Sequence, residues 1–172
     1  MKKIGIVALL LMTFILCSCF GAREEHEGTI ISISYRLTSS FVPFVKEKFI
    51  DFSTNEYKTR NYVENFENYE DMFDPPIQNN EEFETISTFA KEEALIYLEG
   101  IKKAGLLKLR ERYEKNNIYD GDGWKLTIIF EDGFEFVTTG YMKSPSCAKK
   151  INELSNELFG HNLFVVYKLN GE

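Results

Sequence analysis

Residues 124–139 read WKLTIIFEDGFEFVTT. Trp124, Leu126, Ile128 and Phe130 are followed by Glu131-Asp132-Gly133 and then by Phe134 and Phe136. Two β-prone runs around a short glycine-containing loop form a hairpin. Loop length decides which residues face each other. A two-residue Asp-Gly loop pairs Phe130 with Glu135 and Ile129 with Phe136, mixing polar and apolar side chains on both faces. A three-residue loop pairs Phe130 with Phe134, Ile128 with Phe136 and Leu126 with Thr138, which gathers the apolar residues on one face. The pattern therefore predicts a three-residue turn with Gly133 at positive φ, making a bulge.

Outward from this hairpin, Thr29 to Leu37 alternates as a half-buried strand does. Ile31, Ile33, Tyr35 and Leu37 point one way; Ile30, Ser32, Ser34 and Arg36 point the other. Lys46 to Ser53 and Glu56 to Val63 read as a second and third strand around Thr54-Asn55. A long helix is predicted from about Asn80 to Lys103, with Asn79 and Glu82 as start signals. Its face is Ile86, Phe89, Ala90, Ala94, Tyr97, Leu98 and Ile101, and Gly105 stops it. Leu106 to Lys115 reads as a short second helix with Arg110 and Arg112 exposed. Beyond the hairpin, Ser144 as N-cap and Pro145 at the first helical position open a last helix. Cys147, Ile151, Leu154 and Leu158 form its stripe and Gly160 closes it. Leu163 to Leu169 reads as a final strand. The expected fold class is α+β, a mainly antiparallel sheet with two principal helices packed on one face.

The N-terminus carries a different signal. Lys2 and Lys3 precede an apolar run, Ile4 to Leu16, of signal-peptide length and short of the roughly 20 residues a membrane span needs. Leu16-Cys17-Ser18-Cys19 follows. It resembles a bacterial lipobox, with Leu16 three places before Cys19 and Ser18 directly before it. The resemblance implies cleavage before Cys19 and attachment of acyl chains, palmitate among them, to that residue. Two or three chains anchor a protein stably where one does not. A plain cleaved signal and a retained helix are the alternatives. The expected organisation is a signal peptide over 1–18, a tether over 19–28 and one α+β domain over 29–172.

Charge narrows the partners. The chain has 172 residues and a net charge of −7. Loss of residues 1–18 leaves 18 basic residues against 27 acidic ones, near −9. That balance disfavours nucleic acid and anionic headgroups as partners. With Cys19 acylated, Cys147 is the one cysteine left in the domain, so no internal disulfide forms. One Cys and two His make no zinc cluster. No cofactor or metal is expected.

Candidate chemistry is sparse. Asp120-Gly121-Asp122-Gly123 suggests a calcium loop, but the sixth position lacks glycine and the following residues belong to a strand, so it reads as an acidic turn. His26 falls in the tether. His161 follows a helix end, where an imidazole meets terminal carbonyls. Cys147 lies in an apolar stripe and reads as a small buried hydrophobe. Carboxylates are dense over Glu64–Asp74 and Glu81–Glu84, as on a solvated face. Tyr62, Phe66, Tyr69 and Phe73 are interleaved with Glu64, Glu67, Glu70 and Asp71. That mixture suits either packing or a ligand surface for a saccharide or a basic peptide, and these four aromatics are the candidate binding residues.

Trp124, Leu126, Ile128, Phe130, Asp132 and Gly133, followed by Gly140 and Pro145, resemble a W-x-L-x-I-x-F-x-D-G segment of small uncharacterised bacterial lipoproteins. The resemblance covers about a quarter of the chain. It implies an envelope lipoprotein, lipid-anchored to a membrane, and assigns no catalytic residue. The expected role is a non-enzymatic binding or interaction module with an envelope protein or saccharide as ligand. A carboxylate-using envelope hydrolase and a structural or assembly lipoprotein remain alternatives.

Overall fold

The computed structural model describes residues 26–39, 44–63, 82–115 and 121–167. The strands among them are β1 (Ile30–Ser39), β2 (Phe44–Asp51), β3 (Glu56–Val63), β4 (Glu84–Thr88), β5 (Arg112–Glu114), β6 (Asp122–Phe130) and β7 (Glu135–Tyr141). They form one sheet in the order β4-β3-β2-β1-β6-β7-β5, antiparallel except where β5 joins β7. The helices are α1 (Lys91–Lys103) and α2 (Ala148–Phe159). The fold is α+β, with a sheet-dominated core.

The hairpin has the register its apolar pattern demands. Ile128 faces Phe136 and Leu126 faces Thr138. The Gly133 N–H donates to the Phe130 carbonyl at 2.9 Å, the Phe130 N–H donates to the Phe134 carbonyl at 3.0 Å, and Gly133 has φ +84°. Opposite partners then continue across the sheet as Phe136, Ile128, Ile33, Ile50 and Tyr57, all buried. Both helices pack on this face. Ala94, Tyr97 and Ile101 of α1 and Ile151 and Phe159 of α2 belong to the same core. The Tyr97 hydroxyl meets Ser155 Oγ at 2.9 Å, which joins the helices. Gly105 and Gly160 end them in the left-handed conformation.

Trp124 is the largest fully buried side chain. Its register partner is Gly140, and its Nε1–H donates to the Lys143 carbonyl at 2.8 Å. A Cβ on Gly140 would lie inside the van der Waals envelope of the indole. The ring lies over bare backbone, which only glycine provides.

The structure corrects several expectations. β1 carries a bulge between Ile30 and Ser32, so Ile30, not Ile31, joins Ile33 and Tyr35 in the core. The extra residue shifts the alternation by one. The helix expected from Asn80 begins only at Lys91. Residues 84–88 instead form edge strand β4, where Thr85, Ile86 and Thr88 suit a pleated strand better than a helix turn. The acidic N3 signal is Glu93, whose carboxylate accepts the Ala90 N–H at 2.7 Å. The helix expected over Leu106–Lys115 reduces to one 3₁₀ turn, Leu106–Lys108. Beyond it, the Thr138 hydroxyl donates to the Arg110 carbonyl and the Thr139 N–H to the Glu111 carbonyl, which draw the chain onto the edge of β7.

Ser144 does not cap α2, whose N-cap is Cys147. The buried stripe is Ala148, Ile151, Asn152, Ser155 and Phe159, with Cys147, Leu154 and Leu158 half-buried beside it. The strand expected over Leu163–Leu169 is absent through Tyr167, the last described residue. Side chains hold this segment instead. Asn152 accepts the Phe164 N–H at 2.7 Å and donates to the Phe164 carbonyl at 2.9 Å. Ser144 Oγ donates to the Val165 carbonyl and accepts the Tyr167 N–H, each at 2.9 Å. The segment crosses the helix-side face of the sheet, since Phe164 packs edge-on against both Tyr35 and Trp124.

Gly140→Ala is expected to destabilise the fold by about 1–3 kcal/mol through overpacking against Trp124. Gly133→Ala is expected to cost about 1–2 kcal/mol through its left-handed φ alone. Urea unfolding followed by Trp124 fluorescence separates them. The Gly140 variant alone should also shift the folded-state emission, and unchanged emission would show that the indole does not depend on Gly140.

Candidate functional site

The residues expected to bind ligand are not brought together by the described structure. Tyr62 lies in β3 opposite Val45, but its side chain lies outside the described residues, as do Cys19, Phe66, Tyr69 and Phe73. Asp122 and Gly123 belong to β6, in keeping with an acidic turn leading into a strand; Asp120 lies outside the described residues. Cys147 is half-buried, and burial raises its thiol pKa, which disfavours the thiolate a nucleophile needs. Among the described residues no group of three His, Cys, Asp or Glu could hold a metal ion.

His26 corrects the tether expectation. Its ring stacks on Phe134 at 4.1 Å and meets Phe130 edge-on at 4.5 Å, and its Nε2 lies 2.9 Å from the Asp132 carboxylate. The Phe134 N–H and His26 together hold the Asp132 carboxyl below its ordinary pKa. The polar stretch before β1 is thus fastened to the hairpin turn from His26 onward.

The concavity that gathers the most chemistry lies on the helix-side face of β2 and β3, past the end of α2. It has a volume of about 210 Å³ and is lined by Lys46, Lys48, Tyr57, Thr59, Ile86, His161 and Asn162. Strand alternation builds it. Lys46 and Lys48 lie two residues apart and project on the same side as Ile50, the side that elsewhere forms the core. Glu47, between them in sequence, projects on the opposite face. There it is 4% exposed and fully engaged: Arg60 donates from Nε at 2.8 Å and from Nη2 at 2.6 Å, Ser34 Oγ donates at 2.6 Å, and Arg36 lies at 3.8 Å. The pleat therefore separates the acid from the two lysines beside it. Among the described residues neither lysine has a carboxylate partner.

Lys48 reaches inward. Its Nζ donates to the Asn162 carbonyl at 2.5 Å and the Leu163 carbonyl at 3.0 Å, and lies 5.7 Å from the centre of the Tyr35 ring. Burial, aided by the charge of Lys46, lowers its pKa from 10.5 to about 8. Tyr57 is stacked between Phe159 at 5.3 Å and His161 at 5.5 Å, and burial raises its hydroxyl to about 12. Ile86 of the edge strand closes the other side. The arrangement offers amines and an aromatic wall, with no carboxylate among its described lining residues. A second hollow, between α1 and α2, is lined by Glu93, Ile96, Tyr97, Leu154, Glu157 and Leu158, and the Glu93 carboxylate there already accepts the Ala90 N–H.

Sequence reasoning passed over Lys46 and Lys48. The signal was available in the strand parity, since both share parity with Ile50. A period-of-two reading anchored on Ile50 places two ammonium groups on the face that the helices cover. His161 was noticed, but only as a residue after a helix end; the tertiary stack on Tyr57 gives it its place in the wall.

No family model, curated protein or solved structure matches the chain.

Lys48 gives the domain a pH signature. The folded chain releases this proton near pH 8, and the unfolded chain holds it to about 10.5. Between those values the unfolded chain binds more protons, so stability rises with pH. Above about pH 10, unfolded tyrosines ionise while buried Tyr35, Tyr57 and Tyr97 do not, so stability falls. Thermal unfolding across this range should show a rise and then a fall, and Lys48→Met should remove the rise and leave the fall. A native profile that is flat between about pH 8 and 10 would contradict the buried-lysine reading.

Proposed function

We propose that the chain is a lipid-tethered, non-enzymatic binding domain of the bacterial cell envelope, and that the cavity at Lys46, Lys48 and His161 is where it takes its ligand. The observation that carries the reading is that two lysines with no carboxylate partner among the described residues line one hollow on the core side of the sheet. A hollow that gathers convergent polar groups around a buried titratable side chain is a candidate binding site. Among the described residues the cavity lining contains no carboxylate, so this cavity lends no support to a hydrolase that works through paired carboxyls.

The tether is consistent with this use. Cys19 in its lipobox-like setting supplies the anchor, and the chain enters the domain at the turn end of the β6–β7 hairpin, where His26 packs on Phe134. Ile30 of β1 lies at that end, opposite Phe130. Lys46 lies opposite Leu37, towards the other end of β1. At about 3.3 Å per residue the two points are roughly 20 Å apart along the strand. The cavity thus sits well away from where the tether joins.

Cys19→Ala should move the protein from the membrane fraction to the soluble fraction and remove the acyl mass seen on the native N-terminal peptide. Retention on membranes with unchanged mass would sink the tether. For the binding half, full-length protein in neutral detergent is screened for thermal stabilisation against small envelope metabolites. A ligand at a hundred times its dissociation constant adds about 2.7 kcal/mol. At least one compound should stabilise the native protein and fail to stabilise Thr59→Trp, which fills the cavity. If none does, the domain is not a small-ligand binder.

A further inference from the structure

Resting on that reading of the cavity, we propose that its ligand is a small soluble organic anion, a carboxylate or phosphate held between Lys46 and Lys48 with its apolar body against Ile86 and His161. The charge argument comes first. Taking the Lys48 ammonium towards the protein interior beside the like charge of Lys46, without a counter-ion, is unfavourable, and a bound anion offsets that cost. Among the described residues the protein provides no such counter-ion. Glu47 is committed to Arg60, Ser34 and Arg36 across the sheet, and the described ion pairs of β2 and β3 involve Asp51, Glu56 and Lys58, away from the cavity.

Donor counting agrees. An ammonium has three N–H groups. Lys48 spends two on the Asn162 and Leu163 carbonyls and keeps one. Lys46, more exposed, has no hydrogen-bond partner among the described residues and brings all of its donors to the rim. The ammonium of Lys48 is also oriented in advance by those two carbonyls, which reduces the entropy lost when a ligand is gripped.

Size and position narrow the class. A volume of about 210 Å³ holds a handful of waters at roughly 30 Å³ each, so it admits a small molecule and not a folded partner. The chain as a whole is acidic, at −7. Its repulsion of anions is screened beyond about 8 Å at physiological salt, so the two nearby lysines dominate inside the hollow. The cavity's distance from the tether end of the sheet favours a soluble anion over a headgroup of the anchoring bilayer.

The test uses the full-length protein in neutral detergent, titrated calorimetrically with benzoate, phenyl phosphate and inorganic phosphate, with benzamide as the neutral counterpart of benzoate. Phosphatidylglycerol vesicles test the headgroup source by co-flotation. At least one soluble anion should bind and benzamide should not. Lys46→Gln should weaken binding about tenfold, in line with loss of one charge-assisted hydrogen bond. Lys48→Gln should weaken it more, Lys48→Arg should restore part of it, and Lys103→Gln on the exposed side of α1 should change nothing. Affinity should fall as pH rises through about 8, where Lys48 loses its proton. Lys46, Tyr57 and His161 also face the ligand, so the same profile is measured on His161→Gln and must keep that fall.

Silent soluble anions, alongside a neutral compound that binds native protein and not Thr59→Trp, would overturn the anion assignment and leave the binding reading standing. Silence of every compound, charged or neutral, would overturn both. Lysine-dependent vesicle binding with inert soluble anions would overturn the soluble source. Anion binding that is unchanged in Lys46→Gln, whose side chain is exposed and whose loss leaves the fold intact, would place the anion elsewhere and overturn the site.

Discussion

One line of side chains, Phe136, Ile128, Ile33, Ile50 and Tyr57, crosses five adjacent strands and carries both helices. Each member is buried, and burial of such side chains contributes about 1.5–3 kcal/mol apiece. The line exists only in one register. A slip of one residue in any strand sends its whole apolar set to the opposite face. Two local devices protect the alignment. Gly133, at positive φ, absorbs the odd residue in the β6–β7 turn, and the bulge near Ile30 absorbs another at the start of β1, which returns Ile30 to the core opposite Phe130.

This dependence explains which parts of the fold were legible in the sequence. The hairpin was readable because only one loop length gathers its apolar residues, a choice that needs no tertiary information. Helix ends at Gly105 and Gly160 were readable for the same reason. The start of α1 was not. Glu84–Thr88 lies next to a strongly helical segment and continues its pattern, and only the open edge of β3, with the Asn55 carbonyl waiting for the Phe89 N–H at 3.1 Å, makes it a strand. Leu163–Tyr167 failed in the opposite sense. Its composition is that of a strand, but Asn152, Ser144 and Tyr35, distant in sequence, satisfy its backbone through side chains. Local propensity carries no record of such partners. Of the site, His161 was visible only as a helix-end residue, and the lysines were hidden by the ordinary look of a Lys-Glu-Lys run.

That C-terminal segment links core to cavity. Phe164 fills the space over Tyr35 and Trp124, and the carbonyls just before it receive Lys48. The wall of the cavity is therefore an outgrowth of the packing that seats Trp124 on Gly140. Changes at Asn152 or Ser144 would reach the cavity wall through this segment.

Two charged clusters lie on opposite faces of the same strand. On the outer face, Glu47 is surrounded by donors that neutralise and saturate it, so its burial is complete in itself. On the inner face, Lys48 would serve alone as a latch for the C-terminal segment. A second lysine makes a worse latch, because the charge of Lys46 helps to lower the pKa of Lys48 and weakens its hold on the Asn162 and Leu163 carbonyls. Among the described residues Lys46 makes no hydrogen bond or ion pair that would serve the fold. Natural sequences depart from consistency where binding or chemistry requires it. A like-charge pair on the core side of a sheet, with its neighbouring acid turned away by the pleat, is such a departure, and under the proposed reading an incoming negative charge would resolve it.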